Sequence, residues 1–355
     1  MKIGLITQLN FFNYGNRLQN WATDAILKDL GHDVISLVYS PNSALIPVNS
    51  IMKAFPLTPL GKRMRKFRKF TKKNLKTQYI NLISVKKLTK LYGTGGETPL
   101  DCGVIGSDQT WNPKYIVNSD KNFARFVDKD KRMSYSTSFG ISVLPKKNIP
   151  DFTKGLNEIK NISVRETSGS AIVEKLTGQA CPVHLDPTLL ISKERWSKAS
   201  NESVLLPKEK YIFCYFLKNS RNYKKWIKKC SKANGLKIID ANKYFSKYFS
   251  ADPFEFIKLI ENAELVCTSS FHGHALSIAL EKPFISFAGP ASTNSRISTI
   301  LNLTGLTNRN YKLIKNEDVF KIDYSQVTPI IEHERQRAID YLKNSIQEIE
   351  GKTNA

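Results

Sequence analysis

One short stretch of this chain is especially suited to acid–base chemistry: Ser269-Ser270-Phe271-His272-Gly273-His274. An apolar run at residues 263–267 precedes it and an amphipathic run at 275–280 follows, which predicts a strand, a short turn and a helix. In open α/β sheets, ligands bind beyond the carboxyl ends of strands, often against a helix N-terminus. An imidazole placed there exchanges a proton near neutral pH. We therefore predict that His272 is a catalytic acid or base, with Ser270, Gly273 and His274 contacting substrate.

A second polar turn lies near the amino end, where residues 13–20 read NYGNRLQN. It follows a predicted strand at 3–7 and opens a predicted helix at 16–30, so it occupies the equivalent turn of the first βα unit. Two such turns in different parts of one chain indicate a two-domain enzyme with a cleft between the domains. The substrate-binding candidates here are Asn13, Tyr14, Gly15, Arg17 and Gln19, for which turn and helix-capping roles are equally open.

Further candidates are scattered along the chain, and each also has a structural interpretation. Arg165 is predicted to clamp an anion through its planar guanidinium, or else to form a salt bridge with Glu166. Asp186, next to Pro187, is predicted to be a structural turn. The remaining substrate-binding candidates, each with capping, packing or solvation as the alternative, are Ser107, Asp108 (also a possible second base), Trp111 (stacking on a sugar face) and Arg296 (a second cation).

The elements that position these residues alternate between strand and helix, so we predict an α/β fold. Composition shifts between residues 192 and 210, which are charged and contain Pro207, and this marks an interdomain linker. The predicted division is an N-terminal lobe at 1–192 with a basic insertion at 41–96, a linker at 193–210, a C-terminal lobe at 211–327, and a C-terminal helix at 328–355. Strands are predicted at 34–39, 101–106, 132–140, 162–165, 183–190, 211–217, 236–241 and 284–287, and helices at 166–176, 222–234, from Asp252 onward, 295–303 and 328–350.

The net charge of +23 is concentrated in one region. Residues 34–96 contain thirteen Lys or Arg and no Asp or Glu, and the densest part is the segment at 62–73. Leu60, Met64, Phe67 and Thr71 share one helical face there, which is typical of a helix lying on an anionic membrane. The alternatives are a solvated insertion or a helix that packs its aromatics on its own domain; nucleic acid is disfavoured because no binding motif accompanies the charge.

Composition excludes several classes of protein. No apolar run reaches the ~18 residues of a membrane span, and the first residues form a predicted strand, without a secretory signal. The five cysteines show no metal-ligand spacing, and no His/Asp/Glu cluster has one either. We therefore expect a cytoplasmic protein with reduced thiols and without a metal or other cofactor.

Seven motifs taken in order resemble the polysaccharide pyruvyl transferase family, and they span nearly the whole chain. They are NYGNRLQNWA (13–22), GSDQTWNP (106–113), YSTSFG (135–140), SVRE (163–166), DPTLL (186–190), SSFHGHALSIAL (269–280) and NSRI (294–297) before LTGL (303–306). The resemblance implies a GT-B-like fold, with two Rossmann-like lobes facing an interdomain cleft and a C-terminal helix that crosses back to the first lobe. It also implies transfer of the pyruvyl group of phosphoenolpyruvate to a sugar hydroxyl pair of a cell-surface glycan or its lipid-linked precursor.

One position departs from the family pattern. Some branches carry Arg-Leu-His where this chain has Ser270-Phe271-His272, so an arginine that would bind the donor is replaced by serine. Three hypotheses follow: a pyruvyl transferase at the inner face of the membrane, a GT-B glycosyltransferase that uses a nucleotide sugar, and a non-enzymatic protein that binds a membrane or nucleic acid through its charge. The first is the principal expectation, with His272 and Arg165 as catalytic residues.

Overall fold

A computed structural model describes residues 1–9, 12–39, 57–116, 118–202, 205–217, 221–288 and 294–353. The chain divides into two compact units. Unit 1 comprises Met1–Val48, Thr71–Leu190 and His333–Ala355, and unit 2 comprises Asn49–Phe70 and Ile191–Glu332. The two units are α/β structures that we describe separately.

Unit 1 is built on a parallel sheet with the strand order β3-β2-β1-β4-β5 among the described residues. The runs that form β1 and β4 are almost continuously apolar and buried, as expected for strands covered on both faces. The described elements up to residue 190 are β1 (Lys2–Gln8), α1 (Tyr14–Asp29), β2 (Asp33–Tyr39), α2 (Pro59–Asn74), β3 (Thr77–Tyr79), α3 (Val85–Tyr92), β4 (Cys102–Ile105), α4 (Ser119–Asn122), β5 (Arg132–Ser134), α5 (Ile149–Asn157), α6 (Thr167–Thr177) and α7 (Pro187–Leu190).

Unit 2 has a smaller parallel sheet, ordered β7-β6-β8-β9 in the part of the chain that the structure describes. Alternate residues of a strand face opposite sides of its sheet. Ile212 and Cys214 accordingly join the core beneath α9, whereas Phe213 and Tyr215 stack edge-on against Phe256 of α10. The described elements are α8 (Lys193–Ala199), β6 (Tyr211–Tyr215), α9 (Arg221–Ala233), β7 (Lys237–Asp240), α10 (Pro253–Glu261), β8 (Leu265–Thr268), α11 (Phe271–Ala279), β9 (Phe284–Ser286), α12 (Ser295–Leu303) and α13 (Tyr324–Thr353).

Local capping chemistry sets the start of α10 as the sequence predicts. Asp252 accepts hydrogen bonds from the backbone N–H groups of Phe254 and Glu255, and the Glu255 carboxylate accepts from the Asp252 N–H at 2.7 Å. These bonds satisfy N–H groups that have no partner inside the helix.

The predicted strands at 132–140 and 162–165 are wrong in extent, and the segment at 183–190 contains the turn expected at Asp186. Only Arg132–Ser134 forms a strand, the residues around Val164 make isolated bridges, and Pro187–Leu190 is a helical turn. Side-chain hydrogen bonds alternate with the remaining backbone pairs: the Ser163 N–H donates to the Ser134 hydroxyl at 3.0 Å, and the Ser134 N–H donates to the Asn161 carbonyl at 2.9 Å. Serine side chains compete with backbone pairing in this way.

The predicted linker at 193–210 contains part of a folded core. Helix α8 starts at its cap Ser192, and the Trp196 side chain is completely buried within unit 2. The linker prediction failed because burial of the Trp196 side chain makes this segment part of the core, although its local composition is polar.

The basic helix α2 packs its apolar face on protein, which corrects the membrane-facing interpretation of that face. Met64, Phe67 and Phe70 are buried, and the Phe70 ring meets Phe254 edge-on at 4.8 Å. Lys66 forms an ion pair with Glu255 at 2.6 Å. The helix up to Phe70 belongs to unit 2, whereas the sequence placed it in an insertion of the N-terminal lobe.

The C-terminal helix α13 begins in unit 2 and ends in unit 1, as the fold prediction required. Its Tyr324 hydroxyl donates to the Lys282 carbonyl at 2.8 Å, and its Tyr341 hydroxyl donates to the Ser134 carbonyl at 2.8 Å. Among the described residues, no helix combines the length and the apolarity that a bilayer crossing requires.

We expect Trp196→Ala to lower the free energy of unfolding by about 3–5 kcal/mol, because it leaves a large cavity in the core of unit 2. Phe245→Ala is the matched control, since that ring is 89% exposed and its loss should change stability by less than ~0.5 kcal/mol. Urea unfolding followed by circular dichroism measures both. Equal stability of the two variants would show that residues 193–199 are a linker after all.

Candidate functional site

The carboxyl ends of β1 and β4 form the polar edge of unit 1. In the order β3-β2-β1-β4-β5, the strands that follow β1 are added first on one side of it, as β2 and β3, and then on the other side, as β4 and β5. The position between β1 and β4 is therefore a topological switch point, where open α/β sheets bind ligands. Side chains join the two loops there. Gln8 Nε2 donates to the Gln109 carbonyl at 2.5 Å, and the Asn16 amide donates to the Asp108 carboxylate.

A buried ion cluster holds this edge together. Arg165 lies between two carboxylates, with Nη1 at 2.5 Å from Asp186 Oδ2 and Nη2 at 3.5 Å from Asp108 Oδ1. The Ser107 hydroxyl donates to Asp186 at 3.0 Å, and the Arg165 side chain is only 1% exposed. Burial by itself would lower the pKa of Arg165, but Asp186 and then Asp108 outweigh it, so that the pKa is raised.

This geometry changes the role that the sequence suggested for Arg165. Its charge is committed to two internal carboxylates, so the guanidinium ties chain segments together and is not presented to an anionic substrate. Glu166, the partner weighed from the sequence, has a different function. Its Oε1 accepts hydrogen bonds from the Ser138 hydroxyl and from the N–H groups of Phe139 and Gly140, all within 3.0 Å.

Asp108 adopts a backbone conformation that is uncommon outside glycine, with φ of 66°. Its carbonyl accepts a hydrogen bond from the Ser138 N–H at 2.9 Å, and its carboxylate is held by Asn16 and Arg165. Strained residues of this kind persist only where their surroundings determine them, and they concentrate at functional sites. Asp108 and Ser107 therefore form the ordered floor of the β1–β4 edge. The sequence identified both residues but not Asn16, although its place three residues after the cap Asn13 marks it as a first-turn side chain.

The five candidate residues at the amino end of α1 have three kinds of surroundings. Asn13 caps the helix by accepting from the Asn16 N–H at 3.3 Å, and Gln19 Nε2 donates to the Thr7 hydroxyl at 2.9 Å. Tyr14 and Gly15 are buried in the first turn. Arg17 is 3% exposed, and burial lowers its pKa to about 10, so it keeps its positive charge at neutral pH.

Trp111 is a core residue. It is fully buried, stacks against Phe123 at 5.8 Å between ring centroids, and donates its indole N–H to the Asn122 carbonyl. The packing alternative therefore describes Trp111, and the predicted stacking on a sugar face does not. Asp186 is structural as predicted, because its Oδ1 accepts from both the N–H and the hydroxyl of Thr188.

In unit 2, the His272 turn also lies at a switch point of its sheet, between β6 and β8. The Ser269 hydroxyl accepts from the Leu217 N–H at 3.3 Å and so links the loops after these two strands. Ser270 is the N-cap of α11, and its side chain makes no capping hydrogen bond. The Ser270 N–H donates to the Thr268 hydroxyl at 3.0 Å.

Gly273 is needed for packing of the helix on its strand. A Cβ at this position would meet Thr268 Cβ at 2.8 Å, well inside van der Waals contact. The glycine thus lets α11 sit directly against the end of β8. His272, one residue earlier in the same turn, is 5% exposed and contacts the Phe271 ring.

His274 is a neutral structural histidine. Its Nδ1 lies 2.7 Å from the Ser270 carbonyl, so that nitrogen carries the proton and donates. Burial lowers the pKa of His274 to about 4. The ring is therefore neutral at pH 7.

Arg296 is half-buried in the first turn of α12 and belongs to unit 2.

Within the described ranges, no group of three His, Cys, Asp or Glu side chains is arranged to hold a metal ion.

Comparison with known families identifies the family of the chain that has these polar sheet edges. The sequence model of the family "Polysaccharide pyruvyl transferase" matches residues 13–289, which is well over half of the chain. The chain belongs to the polysaccharide pyruvyl transferase family. The matched range contains the ion cluster of Arg165 and the His272 turn.

The fold is GT-B-like, with two parallel α/β sheets. Arabidopsis thaliana UGT89C1 complexed with UDP-L-rhamnose has a TM-score of 0.50 at 9% identity, with 98% of this chain and 99% of that chain covered. UDP-GlcNAc 2-epimerase from Methanocaldococcus jannaschii has a TM-score of 0.47 at 12% identity, with 94% and 92% covered. A search of curated proteins finds no match.

We predict that Arg165→Met lowers the free energy of unfolding by about 3–5 kcal/mol, because it leaves the Asp186 and Asp108 carboxylates buried without their cation. In a double-mutant cycle, Arg165→Met combined with Asp186→Leu should cost less than the sum of the single changes. Chemical denaturation measures all three variants. A variant as stable as the wild type would show that Arg165 is available for substrate.

The protonation of His274 gives a prediction for acid stability. Its pKa is about 4 in the folded protein and about 6.5 when unfolded, so the unfolded state binds the proton more readily. The stabilisation is complete above pH ~6.5 and declines as the pH falls toward about 4, by roughly 3 kcal/mol in all. NMR titration of the His274 ring, assigned with His274→Gln, should show a midpoint near 4. A midpoint near 6.5 would contradict the assignment of a buried neutral ring.

Proposed function

We propose that this protein transfers the pyruvyl group of phosphoenolpyruvate to two hydroxyls of one sugar, forming a cyclic ketal on a cell-surface polysaccharide or its lipid-linked precursor. The family match over residues 13–289 is the observation that carries the proposal. The position of His272 at the end of β8 supports it, because the reaction needs a proton donor.

The reaction needs an acid and a site for two anionic groups. A proton added to the methylene carbon of phosphoenolpyruvate creates oxocarbenium character at the neighbouring carbon. One sugar hydroxyl adds there, phosphate leaves with the C–O bond electrons, and the second hydroxyl closes the ring. The two sugar hydroxyls release two protons in all. These equal the proton that forms the methyl group and the proton that the departing phosphate takes up.

His272 is the proposed acid that protonates the methylene carbon. An imidazole is suited to this because both its protonation states are accessible near neutral pH. The first-turn N–H groups of α11 are the proposed ligands for the phosphate or the carboxylate, since a helix N-terminus favours anions. The Ser270 side chain does not cap these groups.

The donor cations must come from residues other than Arg165, whose charge is already matched by Asp186 and Asp108. We assign this role to Arg296 at the start of α12, which belongs to the same unit as His272. It would supply the charge that some family branches take from the arginine replaced here by Ser270.

The partners proposed with this reaction are phosphoenolpyruvate, a sugar or lipid-linked oligosaccharide acceptor, and the anionic inner face of the membrane, without nucleic acid and without a further cofactor. A cytoplasmic location at the membrane surface would bring the enzyme to a lipid-linked acceptor. Transfer of a sugar from a nucleotide donor is the alternative that the UDP-L-rhamnose complex of UGT89C1 suggests, although at 9% identity that likeness shows the fold alone.

We expect His272→Gln to lower turnover by about 10²–10⁴-fold, because the variant keeps hydrogen bonding but lacks an acid. His333→Gln is the matched control, since His333 is exposed on α13. Phosphate release from phosphoenolpyruvate with a soluble sugar acceptor measures turnover. Unchanged turnover in His272→Gln would remove His272 as the acid.

Calorimetry with phosphoenolpyruvate tests the donor. We expect Kd between about 1 μM and 1 mM for the wild type and at least tenfold weaker binding in Arg296→Gln. Lys224→Gln, an exposed charge change on α9, is the control. Binding of a nucleotide sugar with no heat from phosphoenolpyruvate would replace the pyruvyl reaction with glycosyl transfer.

A further inference from the structure

We infer that residues 243–247 of unit 2, hereafter the Phe245 loop, form the membrane anchor of this protein and insert into an anionic lipid surface. The loop lies between β7 and α10. Phe245 is 89% exposed and Tyr244 is 39% exposed, whereas most aromatic side chains of this chain are buried. This inference extends the membrane partner proposed above, and it holds whether or not the transferred group is pyruvyl.

Contacts with neighbouring side chains hold the exposed aromatic rings of the loop in place. The Tyr244 ring contacts Phe245 at 5.0 Å and Phe249 at 5.1 Å between centroids. The Arg63 guanidinium of α2 lies over the Phe249 ring at 4.8 Å. A continuous series of contacts therefore connects the basic helix to the tip of the loop. A ring held out in this way loses little conformational freedom when it enters a bilayer.

The charge around the loop complements anionic lipid. Lys243 and Lys247 flank the two aromatics and are exposed, as are Lys62 and Lys69 on α2. Neither residues 241–251 nor α2 contains an acid. The carboxylates that follow are engaged locally: Asp252 caps α10 and Glu255 pairs with Lys66. Asp240, which precedes the loop, accepts the Asn242 N–H at 2.8 Å, and the four lysines give the loop and α2 an excess of positive charge.

Alternation of lysine with exposed aromatic side chains favours a bilayer over other polyanions. Amphipathic membrane anchors place aromatic rings in the headgroup region and their cations against lipid phosphates. Duplex DNA would be recognised mainly through the cations and would leave Phe245 dispensable. The apolar face of α2 is buried on protein and is not available to lipid, whereas Phe245 of the neighbouring loop is exposed.

Sedimentation of the full-length protein with vesicles tests the anchor. We expect binding to vesicles of phosphatidylcholine mixed with phosphatidylglycerol, and little binding to phosphatidylcholine alone. Phe245→Ala should weaken the binding at least tenfold through lost burial of the ring. The double change Lys243→Gln with Lys247→Gln should weaken it roughly thirtyfold, from about 1 kcal/mol for each lysine at the surface.

Two matched controls separate the anchor from general charge and apolarity. Lys224→Gln with Lys225→Gln removes the same charge from α9, which covers the other face of the unit 2 sheet, and Leu313→Ala removes another exposed apolar side chain. Both should bind vesicles as the wild type does. All variants should keep turnover on a soluble acceptor, so failure of the anchor is distinguishable from failure of the pyruvyl reaction.

Three results would overturn the inference. One is vesicle binding unchanged in Phe245→Ala, and another is equal loss in the α9 control. The third is tight binding of duplex DNA that depends on Lys243 and Lys247 but not on Phe245. As a second measurement, the added fluorescence of Phe245→Trp should be quenched by brominated phosphatidylglycerol, and absence of quenching would show that the loop does not enter the bilayer.

Discussion

The buried ion cluster of Arg165, Asp186 and Asp108 is the interaction on which the organisation of unit 1 depends. Charges this deeply buried are tolerated only when they are paired and hydrogen-bonded, so the three segments that carry them must meet in one geometry. The cluster orients Asp108, whose unusual φ and hydrogen bond from Asn16 then order the carboxyl edge between β1 and β4. The geometry of this edge therefore depends on the cluster, in which Arg165 holds both carboxylates.

Unit 2 reaches a comparable result through steric packing. Gly273 allows α11 to lie against Thr268, and Thr268 in turn accepts a hydrogen bond from the Ser270 backbone. The neutral ring of His274 donates to the carbonyl of that same Ser270. The backbone on which His272 sits is thus held from the strand side and from the helix side. A catalytic histidine benefits from such support, because proton transfer depends on the position of the ring.

Much of the fold could be predicted from local patterns. The capping box at Asp252, helix α12 and the strands β1 and β2 follow from side-chain types within a few residues, and these predictions are confirmed. The segments around Ser134 and Ser163 could not be predicted in this way. Their serines bond to each other across 29 residues and interrupt the expected ladders. Trp196 similarly turned a polar segment into core.

The sequence by itself determined the element types, the two polar turns and the family, because periodicity, caps and motifs are local properties of the chain. Only the tertiary structure decided what each polar residue does. Arg165 meets Asp108 across 57 residues and Lys66 meets Glu255 across 189, and no pattern in the sequence specifies such pairings. Because of these pairings, Arg165, which was expected to bind an anion, forms an internal ion pair. Helix α2, which was expected to face a membrane, packs on protein. The physical reason is that burial and partner choice, which decide whether a charge is free, are set by packing between distant segments.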